Sequence, residues 1–462
     1  LLARLAASLD ALGTGAVDLP ERQRTLRATV DCSVGLLDDD ERSLLETVAV
    51  FTDGWTIGAA AQVAGLEEDR ALELLDALAR HNLVQPDISS DTFRCRMLET
   101  VRAFVAERLT ARPDAAEVER RHADYYSALA EQADRPLRGA GQSEWLERLQ
   151  AEAGNLAAAV TWYLTHDPAP LPHLFRILYL FWLLRNRQAE ARPWVEELVR
   201  DAAIFNPNAR AELEWTAAAM AIEWGDDAAE LAALRDLAPL LAGIEDPFLH
   251  AVSELAIAWA LPITGDFEGA LREVSASLEE LRGQDEPFFT ALAASTACAV
   301  ETALGRPDDA LQHLRVTRQL ADNFGYTWLT ASSGVQLGVL AVMQGRLEQA
   351  RELLGEALEV SLAARNTRNM TLCLAAFARL ALAEGDPERA ALLAGAADGL
   401  HGRAGMRTWP TRRRGEAELV TDVRQALGVD RYGQVFGAGS RLSQQQAVAA
   451  IRDRPGNRTQ PS

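Results

Sequence analysis

Small and apolar residues recur along the second half of the chain with a period of 40 residues. Each repeat has a small side chain seven residues before a glycine and an apolar residue nine residues after it. Alanine stands five residues after each glycine, except that Glu230 holds this position in the first copy. Two helices can approach closely where both carry small residues, so the pattern predicts helical hairpins with a glycine at each turn. The turn glycines are Gly225, Gly265, Gly305, Gly345 and Gly385.

These offsets resemble the pattern of the tetratricopeptide repeat, although that family usually has about 34 residues per repeat. The surplus is expected between the hairpins, in stretches such as 282–287 and 364–369. Other helical hairpin repeats, such as HEAT-like repeats, are the alternative. Because stacked repeats bury their apolar faces against one another, residues 201–405 are predicted to form a continuous array that binds partners.

A different pattern precedes the repeats. Amphipathic helices are expected up to about residue 81, the third of them with Leu72, Leu75 and Leu78 on its buried stripe. Next, Phe93, Cys95 and Met97 alternate with arginines, as in a half-buried strand that would pair with residues 82–85. Three helices and a β-hairpin predict a winged helix-turn-helix over residues 21–112. The fold class is therefore all-α apart from one small hairpin, with a tetratricopeptide-like α-solenoid of 40-residue helical hairpins.

The segments that flank the array lack its period. Residues 113–200 are predicted to be a helical joint that includes degenerate repeats, and residues 406–453 to form helices that cap the array. The basic cluster Arg412–Arg414 is expected to be a solvated turn before one of these helices. The polar residues 454–462 predict a disordered tail.

Several dispersed motifs resemble one family: large actinobacterial transcriptional regulators of the STAND class. These carry an NB-ARC ATPase followed by a winged helix and tetratricopeptide repeats. The motifs lie in residues 19–30, 36–41, 50–51, 96–102, 121–126, 145–149 and 155–156. The resemblance implies that residues 1–20 are the end of an ATPase region that is otherwise absent from this chain. Leu98 stands where related ATPases have the histidine of Met-His-Asp, so ATP or ADP is expected only in the absent domain.

Composition narrows the possible chemistry. The sequence contains no lysine, so it lacks a Walker A motif and any lysine Schiff base. It also lacks His-Glu-x-x-His and Gly-x-Ser-x-Gly motifs, and we predict that the chain is not an enzyme and holds no metal or cofactor. Four scattered cysteines suggest reduced thiols in the cytoplasm. The longest apolar run, 174–184, is too short to cross a membrane.

Nucleic-acid binding by this segment is not expected. Its formal net charge is −21, whereas phosphate contacts demand a basic surface. The third helix of the winged domain, where a recognition helix would lie, has five acidic residues against Arg70 and Arg80. A regulatory contact within the protein is favoured for this domain.

The first helix of a tetratricopeptide hairpin lines the inner face of the array, which makes this groove the candidate site. We predict that it accepts a protein partner or a small apolar effector. The alternative is that tight winding or the terminal helices cover it. Trp259 is favoured, narrowly, as a binding anchor over a structural plug. By the family's lining positions, the candidate residues are Trp215, Ile222, Leu255, Trp259, Leu292, Val339, Leu372 and Arg379.

The function implied is that of a sensor and regulatory module of a STAND-type regulator. The array would receive the effector or partner, and the winged helix would relay it to the protein's own upstream ATPase domain. The alternative is a stand-alone tetratricopeptide scaffold without an ATPase. Neither alternative involves a membrane.

Overall fold

The computed structural model describes residues 21–87 and 93–452 of the 462-residue chain. It divides into two compact units. The first comprises the residues up to Leu129 together with Arg148–Pro168, and the second comprises Ala130–Glu147 together with the chain from Ala169 onwards. The predicted residues 1–20 and 454–462 lie outside the described residues, and the other predicted domain boundaries stay a prediction.

The first unit consists of helices and one small sheet. Three strands pair antiparallel in the order β1-β3-β2 and are β1 (Trp55–Thr56), β2 (Gln85–Asp87) and β3 (Arg94–Arg96). The helices are α1 (Glu21–Gly35), α2 (Asp39–Thr47), α3 (Ile57–Ala64), α4 (Glu68–Arg80), α5 (Glu99–Thr110), α6 (Ala115–Arg138), α7 (Gln142–Ala151) and α8 (Ala153–His166). Helix α6 ends in the second unit, and helix α7 begins there and ends in the first unit.

Local signals set where these helices begin. Asp38 and Glu41 form a capping box at α2, in which the Glu41 N–H donates to Asp38 Oδ1 at 2.8 Å. Thr56 caps α3 by accepting from the N–H of Ala59 at 3.2 Å. The predicted winged helix-turn-helix is confirmed, with β1 as a third strand that the sequence pattern did not predict.

Two predicted buried faces in this unit are right only in part: Cys95, Leu75 and Leu78 are buried as expected, but Phe93 and Leu72 are not. Phe93 is 46% exposed and Arg94 is buried, because the Arg94 guanidinium forms an ion pair with Glu152 and its charge is compensated. Leu72 is 45% exposed, since α4 turns Ala71 and Leu74 inward beside the predicted Leu75 and Leu78. The buried stripe thus keeps Leu75 and Leu78 and has Ala71 in place of Leu72.

The second unit is helical throughout its described residues. After the end of α6 and the start of α7, two helices precede the array and three follow it. They are α9 (Leu171–Leu184), α10 (Gln188–Arg200), α11 (Pro207–Trp224), α12 (Asp227–Leu237), α13 (Pro247–Ala260), α14 (Phe267–Arg282), α15 (Pro287–Ala303), α16 (Pro307–Phe324), α17 (Thr327–Met343), α18 (Leu347–Ala363), α19 (Thr367–Ala383), α20 (Pro387–Arg403), α21 (Pro410–Leu427), α22 (Val429–Ser440) and α23 (Gln444–Arg452).

Helices α11 to α20 form the five predicted hairpins. All five turn glycines have left-handed backbone, with φ between 66° and 85°, which only glycine adopts without strain. The alanines of the second column are fully buried, as are the small residues seven positions before each glycine. The small-residue columns therefore lie where the two helices of each hairpin pack.

The extra residues per repeat lie mainly in the helices, which corrects the prediction for the connections. From α14 to α20 each helix has 16 to 18 residues. The connections 283–286 and 364–366 are short turns. Residues 247–264 are long and apolar enough to cross a membrane, but 67% of this stretch is buried as part of the array.

The first helices of successive hairpins, α11, α13, α15, α17 and α19, pack on one another and form the inner face of the array. After the last hairpin, α22 packs closely on α20. A Cβ atom at Gly395 or Gly399 would collide with a carbonyl group of α22. Helix α21 instead contacts α13, α15 and α19 as well as α20, so it lies on the inner face.

Candidate ligand site in the repeat array

A cavity that is partly open to solvent lies between the inner face and α21. Its volume is about 380 Å³, and its walls come from α15, α17, α19 and α21. Three of the predicted groove residues, Val339, Leu372 and Arg379, line this cavity together. The structure thus brings together the part of the candidate set that belongs to the last two hairpins.

Three other candidates, Ile222, Trp259 and Leu292, line a second and much smaller cavity of about 50 Å³. Trp259 is only 7% exposed, and its indole N–H donates to Thr296 Oγ1 at 3.0 Å. A space of this size is far below the several hundred Å³ of typical ligand sites. Burial favours a structural role for Trp259 over the predicted anchor.

Trp215 and Leu255 line neither of these two cavities. Both are buried, and the indole N–H of Trp215 donates to the carbonyl of Val252 at 2.9 Å. The ring of Trp215 also packs edge-on against Tyr179 and Phe289. The sequence predicted that Trp215 lies on the inner face. Contacts with neighbouring helices bury its side chain.

The basic cluster Arg412–Arg414 is not a solvated turn before a helix but part of α21. Pro410 occupies the first turn of α21, where its missing N–H costs nothing, and the three arginines follow within the helix. Arg413 forms a bidentate ion pair with Asp227 of α12, with both N–O distances 2.6 Å. Arg412 points its guanidinium into the array, where Nε and Nη2 are buried. The expectation was wrong for Arg412 and Arg413, whose side chains contact the array, whereas Arg414 is exposed to solvent.

Residues 407–413, which lead into α21 and form its first turn, also join the two ends of the array. Arg368 of α19 forms a 2.7 Å ion pair with Glu223 of α11, and it donates to the carbonyl of Arg407 at 3.2 Å. Its guanidinium lies 5.2 Å from the ring centre of Trp409. We call residues 407–413 the latch, because they contact both the first and the last hairpin. Sequence reasoning missed it, and its only signals were the arginine run and Pro410.

In the first unit, family motifs that are far apart in sequence meet in one buried network. Asn155 donates to the carbonyl of Gly54 at 2.9 Å and to Glu152 at 2.8 Å, and it accepts from the N–H of Thr52. Glu152 also accepts from the hydroxyl of Tyr126 at 3.0 Å. The motifs thus support packing in this unit.

The outer surface of α4 is acidic. Glu68, Asp69, Glu73 and Asp76 are exposed. Arg70 forms ion pairs with Asp40 and Glu73, and Arg80 pairs with Asp76 at 3.4 Å. Both cations of this helix are therefore already neutralised by neighbouring carboxylates.

A group of possible metal ligands was not foreseen. His250 and Glu254 of α13 and Glu280 of α14 offer donor atoms within 4.8 Å of one another. His250 Nδ1 already forms a 2.7 Å hydrogen bond with Glu280, and burial raises the pKa of Glu254 to about 7. Since protonation competes with metal binding at such a carboxyl, we propose no metal centre here.

Comparison with known proteins defines the class first. Residues 37–110 match the family described as "Winged helix-turn-helix domain". The fold of most of the chain is similar to that of a signal transduction ATPase with numerous domains (STAND) with a tetratricopeptide repeat sensor from Pyrococcus horikoshii. The TM-score is 0.51 at 15% identity, over 87% of this chain and 66% of that one.

Particular relatives come from mycobacteria. Proteins named as HTH-type transcriptional regulators in Mycobacterium tuberculosis and Mycobacterium bovis are 32% identical over 190 residues, or 39% of this chain. The match covers 21% of each relative, so it spans about a fifth of their length. Together these findings confirm the resemblance to STAND-class regulators and the winged-helix and tetratricopeptide-like fold.

Proposed function

We propose that this chain is the sensor and regulatory part of a cytoplasmic STAND-type transcriptional regulator. The repeat array receives an effector or protein partner, and the winged helix relays the event to an ATPase domain outside this chain. The observation that carries the proposal is the partly open cavity in the array, within a fold similar to that of a STAND protein. The names of the mycobacterial relatives support a role in transcription.

The winged helix serves the relay in this proposal and does not itself hold DNA. The acidic surface of α4 supports this, because a recognition helix must approach the phosphates of the major groove. Specific protection of duplex DNA by the isolated chain at physiological salt would contradict this part of the proposal.

The reading frame upstream of Leu1 provides the first test. A Walker A and Walker B pair there supports the relay, whereas a start codon directly before Leu1 contradicts it and favours the stand-alone scaffold.

The second test uses the longer protein. We expect Arg413→Gln, which loosens the latch, to change its ATP hydrolysis rate several-fold, and the exposed Arg431→Gln to leave the rate unchanged. Equal rates in all three proteins would count against coupling between array and ATPase.

A further inference from the structure

The cavity beneath α21 has the dimensions of a small-molecule site. Its volume of about 380 Å³ lies within the range of ~300–1,000 Å³ typical of such sites. Part of its wall is apolar, with Val339 and Met343 on α17, Leu372 and Ala375 on α19, and Leu419 on α21. A ligand that filled this space would bury an apolar body of modest length.

The cavity also contains the guanidinium of Arg412. Its Nε and Nη2 atoms are buried and have no hydrogen-bond partner among the described residues. Burial lowers the pKa of Arg412, although an arginine side chain stays protonated in proteins. The guanidinium also lies over the ring of Trp409, 5.9 Å from its centre, but a ring contact does not replace the missing hydrogen bonds. Buried donors without an acceptor are costly, and such a group needs an explanation beyond packing.

Arg379 supplies a second guanidinium to the same cavity. It lies against Gly415 of α21, where a Cβ atom would collide with its Nη2. Burial lowers the pKa of Arg379 as well. Among the described residues, no carboxylate lies within ion-pair distance of either Arg379 or Arg412. The absent side chain at Gly415 therefore leaves room for a cation that has no fixed counter-ion.

The two carboxyl groups in the wall are engaged elsewhere. Glu416 accepts a 2.7 Å hydrogen bond from Thr408. Burial raises the pKa of Glu416, whereas this hydrogen bond and the nearby Arg412 and Arg379 lower it. Glu418 forms a 3.2 Å ion pair with the exposed Arg414. The wall thus carries three arginines, Arg379, Arg412 and Arg414, against two carboxyl groups, so its charge is positive even when both carboxyl groups are ionised.

We infer that this cavity binds a small organic carboxylate, with its carboxylate on Arg379 and Arg412 and its apolar body against Val339, Leu372 and Leu419. Guanidinium groups present paired donors that suit a carboxylate, and an unmet buried charge makes the interaction strong. The inference deepens the proposed function, on which it rests, by naming the chemical class of the effector.

Isothermal titration calorimetry of the 462-residue chain tests the inference. The probes are octanoate and 3-phenylpropanoate, with 1-octanol, octylammonium and inorganic phosphate for comparison. We expect a carboxylate probe to bind at least tenfold more tightly than the alcohol, the amine or phosphate. Equal binding of octanoate and octanol would show an apolar cavity only, and no binding of either carboxylate at millimolar concentration would also overturn the inference.

Variants assign the binding to the cavity. Arg412→Gln and Arg379→Gln should each weaken carboxylate binding by tenfold or more, whereas the exposed Arg431→Gln should not change it. Ala375→Leu fills the cavity without altering charge and should also abolish binding. Unchanged affinity in Arg412→Gln would contradict the inference.

The melting temperatures of the variants show whether each variant is still folded. Because Nε and Nη2 of Arg412 are buried without a hydrogen-bond partner, and its guanidinium lies as far as 5.9 Å from the ring centre of Trp409, Arg412→Gln should melt no lower than the parent chain. A purely structural arginine would lower the melting temperature when replaced. Failure of this inference is distinguishable from failure of the proposed function. An array that binds no carboxylate, yet whose Arg413→Gln variant alters ATP hydrolysis in the longer protein, would leave the proposed function standing.

Discussion

Glu230 occupies the position that alanine holds in the other four repeats. Its side chain is buried, and neither carboxylate oxygen has a hydrogen-bond partner among the described residues. Burial, with a smaller contribution from Asp227, raises its pKa to about 8. A carboxyl group at this position disfavours the folded state whenever it is ionised.

Replacing Glu230 should therefore stabilise the chain in a pH-dependent way. Its folded pKa lies above the unfolded value, so the penalty is absent below about pH 4.5 and grows as the pH rises towards 8. We expect Glu230→Ala to raise the free energy of unfolding by a few kcal/mol at pH 8 and by much less at pH 5. Urea titrations at the two pH values measure this difference.

The matched control for Glu230 is Glu348→Ala, whose carboxylate is exposed on α18. It should leave the pH dependence unchanged. An equal effect of Glu230→Ala at both pH values would show that lost volume, and not the charge, decides the outcome.

Trp259 gives a second prediction for a single residue. Because its ring is buried and its N–H is hydrogen-bonded to Thr296, Trp259→Ala should cost ~3–5 kcal/mol and lower the melting temperature. Trp259→Phe keeps most of the ring and should cost less. If Trp259→Ala instead keeps its stability and loses only ligand affinity, the anchor role that the sequence suggested is restored.

Among the elements, α20 and α22 pack with their backbones in contact. A Cβ atom at Gly399 would collide with the carbonyl of Ser440, whereas one at Gly402, a turn later in α20, meets nothing within 4 Å. We expect Gly399→Ala to destabilise the chain by ~1–3 kcal/mol. Gly402→Ala should be neutral or stabilise by up to about 1 kcal/mol, since alanine favours helix more than glycine does. Thermal unfolding of both variants checks the contrast, and equal melting temperatures would contradict it.

Sequence reasoning succeeded for elements whose signals are local and repeated. The turn glycines and the alanine columns predicted the hairpins because each position serves one contact between two adjacent helices. It failed at Arg94 and at the latch. Arg94 is buried only because Glu152, 58 residues away, compensates its charge, and Arg413 meets Asp227 across 186 residues. No periodic pattern records such distant pairs. Three of the eight predicted groove residues line the larger cavity, and their lining positions repeat locally. Coverage of the groove by terminal helices was left open as an alternative, because the contacts of α21 join distant parts of the sequence.

On the scale of the second unit, the latch ties the first hairpin to the last. Arg413 and Asp227 are each about one-third exposed, so their bidentate pair should contribute about 1 kcal/mol in a double-mutant cycle of Arg413→Gln and Asp227→Asn. Hydrogen exchange in α21 should become several-fold faster in Arg413→Gln, with that of α16 and α18 unchanged. Arg414→Gln, which breaks a pair within α21, is the control, and an equal effect of the two variants would contradict a tie across the array.

A linear repeat protein can gain or lose units, since each repeat contacts only its neighbours. The latch removes that freedom. Asp227 and Glu223 of the first hairpin are the partners of Arg413 and Arg368 at the other end. Inserting or deleting one 40-residue unit would separate these pairs and leave a buried arginine uncompensated. The latch therefore fixes the number of hairpins in this array at five. Duplication of a repeat, the usual route by which such proteins lengthen, would break these ion pairs.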